Sequence, residues 1–538
     1  MCFRTVLLVF GLSCANLAAM AQSAQAKLDS GRIQGSVIDG VIAYKGIPFA
    51  APPVGALRWR APQPVTPWTG VKQTTAYAPD CMQVPFPSDA APLGTTPAED
   101  CLYANVWLPA DKDTAKLPII VWIYGGGLVN GGASPAVYSG EHFARKGVMF
   151  VSFNYRLGRF GFFAHPALTA ENADGMLGNY GFMDEIAALK WVQRNAASFG
   201  GDAENVTVMG ESAGGRSIHM LLGSSLANGL YERAIIDSGG GRNPGLVSVS
   251  GAMPIGQRSG EETGLLFAKS VGVEGTGKDA LAKLRALPAE SVRGNLSMVT
   301  TRSNYFSLNM IDGKISVASQ NEQYLAGATQ RVPMIIGTNS ADIGGATADN
   351  VDALFAQFGP FAEEAKAAYL GNSNKDLDQL RGEVGRDRQM LEPARYVATM
   401  TALRGIPTYL FRFSYVPTSM REQWKAGVPH ATELPFVFET VGVKYGASTT
   451  ATDEKTADQI LTYYANFAKT GNPNGPGLPE WPKYDPAKDV LMNFTMNDGP
   501  VAMQDPYHDR LDVTQKYNTQ IPLPPVIAPV VPPAASWH

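Results

Sequence analysis

The chain has 538 residues, 45% of them hydrophobic and 17% charged, with a formal net charge of −4. This suits a globular protein with a sizeable core, and α/β folds often use such a length as one large unit. The balance of charge excludes the basic stripe of a nucleic-acid binder, and there is no acidic tail to attract a basic partner.

The first element is an address. "MCFRTVLLVFGLSCANLAAMAQ" sets Arg4 before an apolar run from Val6 to Leu12, with Ala19 and Ala21 bracketing Met20. That is the shape of a secretory signal peptide cut after Ala21. Residues 1–21 are therefore expected to be removed and the protein exported, to the periplasm or beyond. The apolar run is too short to span a bilayer, so no transmembrane segment is expected. The Gly-Leu-Ser before Cys14 matches a lipobox poorly. Cleavage would leave Cys81 and Cys101, which in an exported protein most simply form one bridge. Two buried thiols are the alternative.

Next, "GRIQGSVIDGVIAYKGIPFA" alternates apolar residues with turn residues and reads as a strand meander. "KLPIIVWIYGGG" holds a continuous apolar run, Leu117 to Ile123, that stops at three glycines. "VMFVSFNYRLG" and "VTVMGES" repeat the pattern of a buried strand entering a turn. With helical stretches such as "DEIAALKWVQRNAASFG" between them, these strands predict a mainly parallel sheet covered by helices. The region from about 250 to 400 is richer in helical periodicity. No linker or repeat separates it, so it is expected to be a helical insertion and cap within one domain, residues 22–520. "IPLPPVIAPVVPPAASWH", 521–538, is too rich in proline for a helix or a central strand and reads as an extended tail.

"VTVMGESAGGRSIHMLL" places Ser212 where a strand gives way to a helix. In Gly-x-Ser-x-Gly the serine is forced into a strained conformation, and the flanking glycines let the backbone turn without a Cβ clash. Its hydroxyl then stands above the sheet, beside the N–H groups and positive dipole end of the helix. By itself the pattern is equally that of a tight turn. "WIYGGG", Trp122 to Gly127, adds flexible backbone N–H groups at the end of another buried strand. Gly126, Gly127 and Ala213 offer three donors to a carbonyl oxygen; glycines kept only for close packing are the alternative.

A nucleophilic serine needs a base. The histidines are His142, His165, His219, His430, His508 and His538. The order Ser, acid, His of α/β hydrolases excludes His142 and His165. His219 lies only two turns along the helix leaving Ser212, and His538 is terminal. His430, in "GVPHATELPFVFE", follows a strand-like stretch and is the choice; His508, in "DPYHDR", reads as a surface residue. Activity is expected to rise with pH near the unperturbed imidazole value of about 6.5.

The chain resembles the type-B carboxylesterases, the α/β-hydrolase family that includes cholinesterases. "GIPFAAPPVGALRWRAPQPV", "EDCLYANVW", "WIYGGG", "NYRLGRFGFF", "GNYGFMDEIAALKWVQRNAASFGGD", "GESAGG" and "YYANFAKTGNPNG" carry the resemblance from about residue 30 to 500. It implies an α/β-hydrolase fold, Ser212 as nucleophile, His430 as base, and Gly126, Gly127 and Ala213 as oxyanion donors. It also implies a Cys81–Cys101 bridge. The acid departs from the family's usual Asn-x-Asp-Glu-Gly. After "VPMIIGTN" the chain reads "SADIGG", which puts Asp342 on the glutamate position; Asp349 and Asp352 lie farther from the strand end. Glu211, Glu433 and Ser238 match residues that in the family form a buried polar group behind the triad, although exposed carboxylates are the plain alternative.

The function expected is serine ester hydrolysis of a small-molecule substrate through an acyl-enzyme, without cofactor or metal. A non-catalytic binding protein on the same fold, or an acyltransferase or amidase with the same triad, are the alternatives. Arg216 stands out. It lies four residues after Ser212, on the same side of a helix, and is expected either to bind an acidic acyl group or to pair with a structural carboxylate. Some secreted bacterial members of the family cleave tricarballylate esters of a fungal polyketide toxin, so the resemblance makes such a substrate an option.

Overall fold

A computed structural model of the protein describes residues 24–520, apart from 87–90, 112–115, 173–174, 243–245, 252, 255, 302–304, 372 and 498. The expected signal peptide and the proline-rich tail lie outside the described residues.

Among the described residues, eleven strands make the main sheet. They are β1 (Ser36–Ile38), β2 (Val41–Pro48), β3 (Tyr103–Pro109), β4 (Leu117–Ile123), β5 (Met149–Phe153), β6 (Gly201–Glu211), β7 (Arg233–Asp237), β8 (Met334–Asn339), β9 (Thr408–Phe413), β10 (Val490–Thr495) and β11 (Gly499–Gln504). Their order is β1-β2-β3-β5-β4-β6-β7-β8-β9-β10-β11. From β5 to β10 all neighbours run parallel, while antiparallel pairs close both edges. The expected meander supplies one of those edges. β8 and β9 are buried at every residue. That follows from runs such as "MIIGTN" and "TYLFRF", which have no polar face to offer water and need cover on both sides.

Helices provide that cover: α1 (Tyr180–Asn195), α2 (Ala213–Gly223), α3 (Gln320–Leu325), α4 (Glu392–Leu403), α5 (Ala451–Thr470) and α6 (His508–Gln520). Alternation along β7 shows that α2 and α5 take opposite faces. Ile236 comes so close to α2 that a Cβ on Gly215 would stand 3.2 Å from it, whereas the next residue, Asp237, accepts a hydrogen bond from Tyr464 of α5 at 2.9 Å. α4 packs on β8 and β9, and α3 bridges α2 and α4. The start of α5 is fixed by Thr450, which exchanges hydrogen bonds with Asp453 in a capping box, and its end by Gly471 at φ 76°.

The middle region is not one insertion. β8 passes through it, so two helical excursions leave the sheet, one before and one after that strand. The first contains short helices at Gly260–Ser270, Lys278–Arg285 and Ala289–Arg293. The second builds a small core of its own, in which Leu354, Phe355, Phe358 and Tyr369 meet Val513 of α6.

Candidate active site

Glu211, Asp237 and Gly337 stand in register across β6, β7 and β8. The residues that follow them therefore emerge side by side at the carboxyl ends of these central strands. Ser212 is held at φ 55° and ψ −119°, a conformation that costs a non-glycine residue roughly 1–3 kcal/mol. Its surroundings impose it. The Ser212 N–H donates to the Asp237 carbonyl and its own carbonyl accepts from the Arg216 N–H, both at 2.9 Å. A Cβ on Gly210 would lie 2.6 Å from the Gly214 backbone, and one on Gly214 would collide with the Ile123 carbonyl. The glycines are needed because strand, helix and the neighbouring strand cross almost in contact.

His430 reaches this bend from the loop after β9. That loop is stitched to the one after β8. Val428 donates to Ser340 Oγ at 3.0 Å, the Ala341 N–H to the Val428 carbonyl at 3.0 Å, and Asn339 Nδ2 to the Pro429 carbonyl at 2.7 Å. The result is a continuous line: Ser212 Oγ to His430 Nε2 is 2.8 Å, and His430 Nδ1 to Asp342 Oδ1 is 2.6 Å. Asp342 is fixed by three donors, Ser238 Oγ at 2.6 Å, the Asn339 N–H at 3.0 Å and the Ile343 N–H at 2.8 Å. The competing residues are elsewhere. Asp352 pairs with Lys366, Asp349 is exposed, and His508 lies between Asp489 and Asp512. His219 is buried against Tyr324, and His165 caps a helix.

Glu211, Glu433 and Ser238 are all buried, and the Ser238 hydroxyl serves Asp342 directly. Glu433 instead bonds Asn339 Nδ2, and Glu211 Oε1 lies 3.2 Å from His430 Nε2. Burial pushes Glu211 well above the usual carboxylate range, a rise opposed by the His430 charge and furthered by Glu433, Asp342 and Asp237. Burial likewise lifts Glu433, to about 7. Asp342 behaves in the opposite way. Burial disfavours its charge, but His430 and its other donors outweigh that and hold it below the usual range. For His430 burial opposes the cation, yet the carboxylates of Glu211, Asp342 and Glu433 win and raise it above 6.5. Asp237 and Asn339 were not singled out in the sequence. Nothing local marks them; their roles come from strand register.

Among the described residues, no acceptor takes the N–H groups of Gly126, Gly127 or Ala213. Arg216 is half-buried, desolvation lowers its affinity for its proton, and among the described residues no carboxylate pairs with its guanidinium. The structural ion pair considered for it is absent there. Cys81 and Cys101 are joined by a disulfide.

A model of the carboxylesterase family matches residues 22–513. The chain belongs to the carboxylesterase family. It is 32% identical over 508 residues to a fumonisin B1 esterase of Sphingopyxis macrogoltabida, covering 90% of this chain and 89% of that one. To the cocaine esterase of Homo sapiens it is 31% identical over 513 residues, covering 86% of each. Among solved structures, a PNB esterase superposes with a TM-score of 0.76 at 29% identity, over 91% of this chain and 99% of that chain. The carboxylesterase fold is thus the α/β-hydrolase fold expected, and the enzyme is a carboxylic ester hydrolase.

Proposed function

We propose that this carboxylesterase works through an acyl-enzyme with Ser212 as nucleophile, His430 as general base and Asp342 as the acid that orients it. The observation that carries this reading is the unbroken line from Ser212 Oγ through His430 to Asp342 at 2.8 and 2.6 Å. Nε2 takes the serine proton as Oγ attacks the ester carbonyl, and Asp342 keeps the remaining proton on Nδ1 and balances the imidazolium. The unengaged N–H groups of Gly126, Gly127 and Ala213 receive the oxyanion. Collapse releases the alcohol, with His430 returning the proton to it. Water, deprotonated by the same nitrogen, then attacks the acyl carbon, and the acid leaves as His430 returns that proton to Ser212 Oγ. The test is labelling by an organophosphonate with mass mapping. The adduct is expected on Ser212 and to vanish in Ser212→Ala; an adduct retained in that variant would overturn the assignment.

The acyl group we assign is one with free carboxylates, such as a tricarballylate ester of a fungal toxin. Arg216 supports this, as a permanent cation one turn from Ser212 with no carboxylate of its own among the described residues. A relative named as a fumonisin B1 esterase agrees with it. Export by a peptide cleaved after Ala21 is supported by the Cys81–Cys101 bridge. In the described residues, moreover, no helix is long and apolar enough to cross a membrane. The N-terminal sequence of the mature protein tests it.

A further inference from the structure

The turn that follows β4 is strained. Gly126, Gly127 and Leu128 have φ of 106°, 64° and 62° in succession, and a left-handed leucine is costly. Such a turn keeps its shape only where its surroundings over-determine it. The residue that does so is Asn130, which is 1% exposed. Its N–H closes the turn on the Gly126 carbonyl at 2.9 Å. Its side chain then faces two ways. Nδ2 donates to the Val84 carbonyl at 2.6 Å and to Gln83 Oε1 at 3.3 Å, both in the loop that begins at the bridged Cys81. Oδ1 accepts the Met298 N–H at 3.1 Å, from the first helical excursion.

Gln83 repeats the tie from its own side. Its Oε1 accepts the Gly131 N–H at 2.9 Å, and its Nε2 donates to the carbonyls of Gly131 at 2.6 Å and Cys81 at 3.0 Å. Met298 lies over the turn so closely that a Cβ on Gly127 would meet its sulfur at 2.8 Å. Three separate stretches of chain therefore meet at one amide.

We propose that Asn130 is a positioning residue of the oxyanion hole: through Gln83 and Val84 it clamps the Gly126–Gly127 turn to the disulfide-anchored loop, and through Met298 to the cap. The inference rests on the reading of Gly126 and Gly127 as oxyanion donors. Asn130 touches no reacting atom in that scheme. Its effect is to keep two N–H groups aimed where the charge develops, so its loss acts on the transition state more than on ester binding.

The experiment measures kcat, KM and the inhibition constant of a trifluoromethyl ketone, which adds reversibly to the serine and forms an oxyanion, in wild type, Asn130→Ala, Asn130→Asp and Gln83→Met. Outright removal of a donor costs about 10²–10³ in kcat and a 1 Å misplacement about 10². Asn130→Ala is therefore expected to lose ~10–10²-fold in kcat with KM nearly unchanged and the ketone weakened by the same factor. Asn130→Asp keeps the acceptor for Met298 but loses both donors, and is expected to be at least as impaired. Gln83→Met should show the same split, and carries the test if Asn130→Ala does not fold. A folded Asn130→Ala with wild-type kcat and ketone affinity, or a loss confined to KM, overturns the clamp. Near-normal Asn130→Asp would overturn the tie to the disulfide loop. Failure of the underlying reading is seen separately in the wild-type enzyme, as a trifluoromethyl ketone that binds no more tightly than the corresponding alcohol, which cannot form the oxyanion.

Discussion

Glu211 Oε1 and Ser212 Oγ share one partner: His430 Nε2 stands 3.2 Å from the first and 2.8 Å from the second. The nitrogen that accepts the serine proton in the proposed mechanism therefore also faces a buried carboxyl group. Glu211 and His430 titrate as a pair, since a charge on Glu211 favours a proton on His430.

The sign of the pH effect follows. In the proposed mechanism only neutral His430 can act as base, and its surroundings raise its pKa above 6.5, so the active range is expected to move upward. The plot of kcat/KM against pH is expected to rise through a midpoint above that of an isolated imidazole, and Glu211→Gln to bring the midpoint down. A wild-type midpoint at or below 6.5 would show that the carboxylates do not govern the base.

His430→Ala is expected to reduce turnover nearly as severely as Ser212→Ala, because triad members act as a unit. His508→Ala should leave kcat intact and touch stability alone, since His508 bonds Asp489 and Asp512 far from Ser212 in the fold. Turnover of a chromogenic ester by the three variants checks this. An active His430→Ala beside an inactive His508→Ala would reverse the assignment.

Asp342→Asn should cut kcat much more than KM, by up to ~10⁴-fold on the pattern of serine proteases. The geometry says why. One carboxylate oxygen accepts from His430 and Ile343, the other from Ser238 and Asn339, so an amide NH₂ must point at a donor whichever way it turns. Steady-state kinetics on one good substrate would decide it, and near-normal kcat would move the acid elsewhere.

For Arg216 the comparison is between two esters of similar size, one with a free carboxylate in its acid part and one without. Hydrogen bonds to charged groups are worth about 1.5–3 kcal/mol, so Arg216→Gln should lower kcat/KM for the acidic ester by roughly 10–150-fold and leave the neutral one within about threefold. Equal losses on both would make Arg216 a structural residue.

Strands that are apolar from end to end announced themselves. The run Leu117 to Ile123 coincides with β4 because burial on both faces tolerates no polar residue there. Ser212 was readable for a related reason, since a crossing that tight admits only glycine beside it. The choice of His430 came from chain order and that of Asp342 from resemblance, while the atom that Ser238 bonds was not legible. A serine's hydrogen bond is settled by which oxygen lies within 3 Å, and nothing in residue spacing supplies that distance. Asn130 and Gln83 were overlooked on the same ground. Each acts on a segment far away in the chain, and an asparagine in a glycine-rich turn looks like any turn residue. The second excursion's separate core was equally hidden, because its packing partner, Val513, lies more than a hundred residues later.

Strand register has one more consequence. Ser212 and the residues that hold Asp342 leave β6, β7 and β8 at a common level, so the bends that carry them are spaced as hydrogen-bonded strands are, about 4.8 Å from one to the next. The part of the proposed site that Met298 covers belongs instead to the first helical excursion, which lies outside that ladder of strands. Regions with fewer buried contacts open at lower free energy. On warming, discrimination between esters should therefore fade before the capacity to cleave a small one is lost, leaving an enzyme that is catalytically competent and chemically indiscriminate.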